Sequence, residues 1–169
     1  NNTTLSGGGN SIDIGNSASL KLTSSSGDNA TITMGTGSTL TGNVSLGTNT
    51  MVTAGANAKI TGNVTLGTNS TLTTGLGATI GGGLEIGEGS VWNLTINPES
   101  TTPVGGVIKS TSGTATIKIT GDCNFIDGPV FEKVLGKLDS GTNAANLKLD
   151  ASELLSPVTY LTVLKEKED

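Results

Sequence analysis

Glycine recurs at a fixed interval of twenty residues through the first hundred residues of the chain, in two separate columns. The first column contains Gly7, Gly27, Gly47, Gly67 and Gly87, and the second contains Gly15, Gly35, Gly55 and Gly75. No insertion or deletion interrupts the count. A period of this length is the sequence signature of a solenoid, in which each repeat stacks only on its two neighbours. The spacing therefore constrains the fold far more tightly than the function.

Apolar residues follow the same period and indicate what each repeat contains. They come in pairs two residues apart, such as Ile32 with Met34 and Val44 with Leu46, which is typical of a strand that buries one face. The columns formed in this way contain Ile12, Ile32, Val52, Leu72 and Trp92; Leu20, Leu40, Ile60 and Ile80; Val44, Val64 and Leu84; and Leu46, Leu66 and Ile86. Each repeat is therefore expected to hold three short strands.

Turns rich in glycine and asparagine separate these strands, and both residue types tolerate positive φ. Asn29, Asn49 and Asn69 are expected to stack at one corner as a ladder of amides. Three strands and three corners in twenty residues predict an all-β fold, a triangular parallel β-helix. We expect a right-handed solenoid, although the spacing alone does not fix the handedness. Five coils at a strand spacing of ~4.8 Å would build a prism roughly 24 Å long.

The chain divides into two parts. We predict a regular β-helix of five twenty-residue coils over 1–100, and an irregular continuation with a C-terminal cap over 101–169, because the repeat dissolves near Pro98 and Pro103. A thick end of this kind would cover strand edges that an open terminal coil leaves unpaired. In this part we expect strands at 104–109, 114–119, 123–126, 146–149 and 157–164, a turn or short helix at 151–155, and either a short amphipathic helix or a strand end at 130–138.

Charge and composition exclude several kinds of partner. The net charge is −5, there is no histidine or arginine, and aromatic residues make up only 2% of the chain. A nucleic-acid binder needs a basic surface, and a single-strand binder also needs aromatic side chains on which bases stack. Attraction to anionic membranes needs clustered lysine or arginine as well. We therefore expect no nucleic-acid partner and no binding to anionic membranes. No stretch of the sequence is long and apolar enough to span a membrane, so we also expect no direct membrane insertion.

Carboxylates are the candidate catalytic groups in this sequence, because many parallel β-helices act on polysaccharides. Asp13 and Asp28 fall in different columns, whereas Glu85, Glu88 and Glu99 are confined to one coil and its exit, without a basic or histidine partner. Cys123 is expected to be an inert thiol, since there is no second cysteine and its neighbours Asp122 and Asp127 disfavour the thiolate. We predict that the protein is not an enzyme, with no catalytic, cofactor-binding or metal-binding residues. A polysaccharide-active β-helix remains a minor alternative.

Outward threonines share one face of the predicted solenoid. They are Thr31, Thr33, Thr53, Thr71 and Thr73, and the array is interrupted at Met51 and Val91. Flat threonine ladders order water in some ice-binding β-helices, which makes ice binding a second minor alternative. Threonine is also simply favourable at an exposed strand position because it is β-branched.

Several segments resemble a known family. The runs TGNVSLGTNTMVTAG (41–55) and TGNVTLGTNSTLTTG (61–75) resemble the passenger regions of bacterial autotransporters and related surface adhesins. TATIKITGDCNFIDGPVF (114–131) resembles the late coils of such passengers, and SPVTYLTVLKEKED (156–169) is similar to the strand that closes them. The resemblance implies a secreted or bacterial cell-surface protein acting as an adhesin, spacer or stalk. Its partners would be molecules on host or neighbouring cells, or further copies of itself.

A different class of protein is the main alternative. The pattern Ile-x-Gly-x-Val is also similar to the β-helical core of bactofilins, which are intracellular structural polymers that stack end to end. Those cores lack an irregular cap of about seventy residues, and the twenty-residue coil is itself shorter and more uniform than is usual for autotransporter passengers. Long filaments would indicate the polymer, and separate rods would indicate the passenger.

Overall fold

The computed structural model describes residues 2–96, 104, 107–110, 113–122, 137–138 and 143–155. Within them the chain winds as a β-solenoid of parallel sheets, so the predicted fold class is confirmed. In chain order the strands are β1 (Asn2–Leu5), β2 (Ser11–Ile14), β3 (Ser19–Ser25), β4 (Thr31–Met34), β5 (Thr39–Thr41), β6 (Val44–Leu46), β7 (Met51–Ala54), β8 (Lys59–Ile60), β9 (Val64–Leu66), β10 (Thr71–Thr74), β11 (Thr79–Ile80), β12 (Leu84–Ile86), β13 (Val91–Thr95), β14 (Val107–Ser110), β15 (Ala115–Asp122), β16 (Lys137–Leu138) and β17 (Leu147–Leu155). A 3-10 turn at Ala144–Asn146 precedes β17.

The strands form three parallel sheets. The first sheet has the order β1-β3-β5-β8-β11, the second β17-β15-β13-β10-β7-β4-β2, and the third β16-β14-β12-β9-β6. Neighbouring strands are parallel. From β5 to β13 the chain visits the first, third and second sheets in turn, whereas β1 to β4 alternate between the first and second sheets and β14 to β17 between the third and second. The triangular coil predicted from the sequence is therefore present.

The register of the second sheet shows where the regular period ends. Ile32 lies opposite Val52, Val52 opposite Leu72, and Leu72 opposite Trp92, always twenty positions apart. Trp92 then lies opposite Ile117, which is 25 positions later, and Ile117 lies opposite Leu149, 32 positions later. The coils thus continue after the regular repeat with longer turns between their strands.

The inward side chains form the hydrophobic core. Ile32, Leu40, Ile60 and Leu72 are each 0% exposed, as is the single tryptophan, Trp92. Burying an aliphatic side chain of this size contributes roughly 1.5–3 kcal/mol. Because the same position is apolar in every coil, the core is a set of continuous columns along the solenoid.

Trp92 is accommodated by a hydroxyl in the coil below it. Its Nε1–H donates to Thr74 Oγ1 at 2.9 Å, and Thr74 is itself fully buried in the inward column that holds Ala54 and Met34 one and two coils earlier. A buried indole N–H needs an acceptor, since an unpaired donor in the core keeps its full desolvation cost. Thr74 supplies that acceptor.

Replacing Thr74 with valine is expected to lower the free energy of unfolding by about 1–2 kcal/mol, because the indole N–H loses its partner while the volume is kept. Urea denaturation followed by Trp92 fluorescence measures the loss. Thr71→Val is the matched control, since Thr71 lies on the same strand and its side chain points outward. Equal stability of the two variants would contradict a role for the hydrogen bond.

Asparagine has two different roles at the corners of the coils. Asn29, Asn49 and Asn69 have φ of 54 to 55° and stack at one corner, as expected. Their backbone N–H groups join the coils, as when Asn29 N–H donates to the Thr48 carbonyl at 2.9 Å. Side-chain amides bridge coils at the other two corners: Asn16 Oδ1 accepts from Thr36 N–H at 2.9 Å at one, and at the other Asn43 Oδ1 accepts from Asn63 N–H at 3.0 Å and Asn63 Oδ1 from Gly83 N–H at 2.8 Å.

Most positions of the two glycine columns require glycine for a different reason from the positive φ that the sequence suggests. Apart from Gly7 and Gly27, their members do not have positive φ. With the exception of Gly15, the other members lie where their coil touches the backbone of the preceding coil. A Cβ added at Gly67 would lie 2.6 Å from the Gly47 carbonyl, and one at Gly55 would lie 2.8 Å from the Met34 oxygen. Close approach of the coils, rather than the left-handed conformation, excludes a side chain there.

A ladder of buried hydroxyls completes the corner between the third and second sheets. Thr50, Ser70 and Ser90 are at most 2% exposed. Thr50 N–H donates to Ser70 Oγ at 3.2 Å, Ser70 N–H donates to Ser90 Oγ at 2.9 Å, and Ser90 Oγ donates to the Gly67 carbonyl at 3.0 Å. These side chains satisfy backbone groups that the turn leaves without a strand partner, as buried polar groups require.

Beyond the regular repeat the expected elements are only partly correct. Strands occur at Val107–Ser110 and Ala115–Asp122, near the expected 104–109 and 114–119. The turn or short helix expected at 151–155 is wrong, because β17 continues to Leu155 and pairs with β15 through a register shift. Lys137–Leu138 is a strand, which agrees with the strand alternative at that point. The expectations for 123–126, 130–136 and 157–164 lie outside the described residues.

Candidate functional site

The outer face of the second sheet is the most extended regular surface of the described residues. Two columns of outward side chains run along it, at the strand spacing of ~4.8 Å. One column contains Ser11, Thr31, Met51, Thr71, Val91, Thr116 and Lys148, and the other contains Asp13, Thr33, Thr53, Thr73, Asn93, Lys118 and Asp150. We call this surface the threonine face.

Threonine dominates the middle of the threonine face. Thr53 and Thr73 are half-buried between their neighbours, whereas Met51 is 49% exposed. Asn93 Nδ2 donates to Thr73 Oγ1 at 3.5 Å, so polar groups of adjacent coils also meet here. The interruption expected at Met51 and Val91 is present, because both occupy the outward column. The surface is therefore polar, regular and broken by one exposed thioether.

The far end of the threonine face is charged. Lys118 Nζ lies 2.6 Å from Glu153 Oε1, and the hydrogen bond to that carboxylate raises the pKa of Lys118. Hydrogen bonds from the Ser152 hydroxyl and N–H lower the pKa of Asp150. Exposed pairs of this kind contribute little stability, because solvent and salt screen the two charges. They give this end of the face alternating charge.

The structure assigns local roles to the carboxylates considered as catalytic candidates. Asp28 Oδ1 accepts a hydrogen bond from Thr48 N–H at 2.7 Å and so caps a corner, while Asp13 is exposed on the threonine face. The expectation that Glu85 lacks a basic partner is wrong, because Lys109 Nζ lies 3.9 Å from its Oε2. Glu88 lies at a corner beside Gly113.

The candidate residues are not brought together in the part of the chain that the structure describes. Asp13 and Asp28 lie on different parts of the coil. Within the described ranges no three histidine, cysteine, aspartate or glutamate side chains form a group that could hold a metal ion. Glu99, Cys123 and Asp127 lie outside those ranges.

The fold and surface define the class of protein as a β-solenoid with regular polar faces. Comparison of the chain with protein-family models, curated proteins and solved structures found no match. No helix among the described residues is long and apolar enough to cross a membrane.

Proposed function

We propose that the protein is a non-catalytic β-helical scaffold, secreted or displayed on a bacterial cell surface, of the adhesin or stalk type seen in autotransporter passengers. The observation that supports this proposal most directly is the continuous parallel pairing of seven strands in the second sheet, from β2 to β17. A structure of this kind can span a distance and can present an extended surface, which are the properties that a stalk or an adhesin requires.

The backbone supplies stiffness to this scaffold. The same hydrogen bond recurs at the start of successive strands: Thr31 N–H donates to Asn10 O at 2.9 Å, Met51 N–H to Ala30 O at 2.9 Å, Thr71 N–H to Thr50 O at 2.8 Å, and Val91 N–H to Ser70 O at 2.9 Å. Each such bond contributes about 0.5–1.5 kcal/mol net. Bending the solenoid would strain many of these bonds together, so we expect a rigid rod.

The threonine face is the surface we propose for adhesion. Its central threonines are held in register by strand pairing, and Met51 adds an exposed apolar contact. Ordered polar groups lose little conformational entropy on binding, which favours recognition by an extended surface. The proposed partners are molecules on the surface of host or neighbouring cells. The carboxylates support a scaffold rather than a reaction, since Asp28 caps a corner and Glu85 pairs with Lys109.

Adhesion can be measured by displaying the chain on a non-adherent bacterium and counting the cells retained on cultured cells. We expect the parent chain to adhere and a Thr53→Lys, Thr73→Lys variant to adhere several-fold less, because two ammonium groups would disturb the threonine face. Thr65→Lys is the control, since Thr65 lies on the outward side of the third sheet. Equal adherence of the two variants would show that the threonine face is not the adhesive surface.

The shape of the purified chain provides an independent measurement. Electron microscopy is expected to show separate short rods. Long unbranched filaments would instead support the intracellular polymer similar to bactofilins, and would count against the surface scaffold.

The threonine array also favours ice binding as a second candidate function. Thr31, Thr33, Thr53, Thr71 and Thr73 lie in two straight columns around Met51. A flat array of hydroxyl and methyl groups can order water on its surface. Measurement of thermal hysteresis in a solution of the purified protein tests ice binding. An absence of thermal hysteresis would rule out this function.

A further inference from the structure

Triplets of the form Asn-x-Ser/Thr recur along the coils. Five of them have described side chains and begin at Asn29, Asn43, Asn63, Asn69 and Asn93, and two more begin at Asn1 and Asn2, outside the described side chains. Such a triplet is an acceptor for N-linked glycosylation where it lies on an accessible loop. The middle residue of each described triplet is buried, so its asparagine and its hydroxyl residue lie together outside the core. The environment of each amide therefore distinguishes the triplets.

Three of the described triplets have an amide that already bonds to a neighbouring coil. Asn43 Oδ1 accepts from Asn63 N–H at 3.0 Å, and Asn63 Oδ1 accepts from Gly83 N–H at 2.8 Å. Asn93 is half-buried in the second sheet, where its Nδ2 donates to Thr73 Oγ1 at 3.5 Å. Moving any of these amides into the active site of an enzyme would break a hydrogen bond between coils.

Asn29 and Asn69, at the corner that precedes the second sheet, have free amides. Both residues are exposed, and among the described residues neither side chain makes a hydrogen bond, although both backbone N–H groups bond the next coil. Gly89 follows Asn69 in this column and leaves room for its amide, since an added Cβ would lie 2.5 Å from Oδ1. The hydroxyl residues of the two triplets, Thr31 and Thr71, begin strands of the threonine face. Both triplets are thus accessible on the folded chain.

We propose that Asn29 and Asn69 are sites of N-linked glycosylation, modified on the folded chain by a glycosyltransferase that uses a nucleoside diphosphate hexose. In this transfer Nδ2 of the asparagine forms a bond to the anomeric carbon of the hexose, while the bond from that carbon to the diphosphate oxygen breaks. The nucleoside diphosphate leaves and the amide gives up one proton. The two sites are two coils apart, or about 10 Å at the usual strand spacing, so an intervening coil separates the two sugars.

The intervening coil contains a natural comparison for these two sites. Asn49 lies in the same corner column, is exposed, and has the same φ of 54° as Asn69. The third residue of its triplet is Met51, which has no hydroxyl group, so Asn49 has the geometry of the two sites without the acceptor motif. Met51→Thr would complete the motif at this corner and should create a third site.

Incubation of the purified, folded chain with uridine diphosphate glucose and an asparagine N-glycosyltransferase tests the proposal, and peptide mass spectrometry locates each hexose. Each rate is divided by the rate for the same triplet in a proteolytic peptide of the chain, which removes the effect of local sequence. We expect Asn29 and Asn69 to be modified in the folded chain. Asn43, Asn63 and Asn93 should be modified about threefold to tenfold more slowly, the factor that corresponds to the hydrogen bond each amide must break.

Two variants complete the test. Met51→Thr should add a hexose at Asn49 at about the rate of Asn29, and Thr31→Val should abolish modification of Asn29 while leaving Asn69 unchanged. Both changes lie in the outward column of the second sheet, so neither should alter folding.

Two results would overturn the proposal. One is an absence of hexose at Asn29 and Asn69 in the folded chain. The other is an equal corrected rate at all five triplets, which would show that the corner confers no selectivity. Neither result bears on the proposed scaffold function, because the experiment measures modification of the purified chain and not adhesion.

Discussion

Replacing Gly67 with alanine is expected to lower the free energy of unfolding by about 3 kcal/mol, the upper end of the range for overpacking. The added Cβ would lie 2.6 Å from both the carbonyl carbon and the oxygen of Gly47 in the preceding coil. Both atoms belong to the backbone, so no side chain can rotate away to make room. The two coils would have to separate locally, which weakens their strand pairing. Urea denaturation of the purified variant measures the loss.

Two other glycines provide a graded control for this prediction. Gly55→Ala should cost less than Gly67→Ala, since its nearest contact would be 2.8 Å. Gly15→Ala, in the same column as Gly55, should be neutral or should stabilise by about 0.4–1 kcal/mol, because alanine restricts the unfolded chain and meets nothing in the folded one. Equal losses at Gly15 and Gly67 would show that backbone conformation, rather than coil contact, requires glycine.

The sequence predicted the regular solenoid well because its contacts are one-dimensional. Each residue lies opposite the residue twenty positions later, so a column in the sequence is a column in space. The paired apolar positions therefore located the strands and the core directly. After Trp92 the interval becomes 25 and then 32 positions, so the same reasoning no longer applies. That change explains why β17 was mistaken for a strand followed by a turn.

The sequence shows that glycine and hydroxyl residues repeat every twenty positions, but it does not show why each position requires that residue. A glycine required by positive φ and a glycine required by contact look the same in a sequence. Similarly, Thr50, Ser70 and Ser90 are indistinguishable by residue type from the surface threonines and serines, yet they are buried and bond the backbone of the corner. Only the path of the chain separates these cases.

On the outer surface, too, the sequence predicts positions along the strands better than it predicts contacts between coils. Strand alternation predicted that the threonines share one outward face, and the register places them there. The partner of Glu85 was missed because the regular period would place Gly105 opposite it. A longer turn makes the interval 24 positions, and the residue opposite Glu85 is Lys109. Ion pairs across coils depend on turn lengths, which the apolar pattern does not specify.

Replacing Thr65 with proline is expected to lower the free energy of unfolding by about 3 kcal/mol, the upper end of the cost of leaving a buried hydrogen-bonding group unpaired. Thr65 lies in the middle of β9, which is bordered by β6 on one side and β12 on the other. Proline has no N–H to donate and its ring crowds the preceding residue, so it belongs on edge strands rather than central ones. The melting temperature should fall by about 6–12 °C, as expected for this loss in a chain of this length.

Thr65→Val is the matched control, since valine keeps the N–H and the β-branched shape at a half-buried outward position. We expect it to change stability by no more than about 0.5 kcal/mol. The difference in unfolding free energy between the two variants then measures the contribution of the Thr65 backbone, separately from that of its side chain. A proline variant with an unchanged melting temperature would mean that β9 is not held between two neighbouring coils, and would contradict the stacked solenoid on which the rigid scaffold depends.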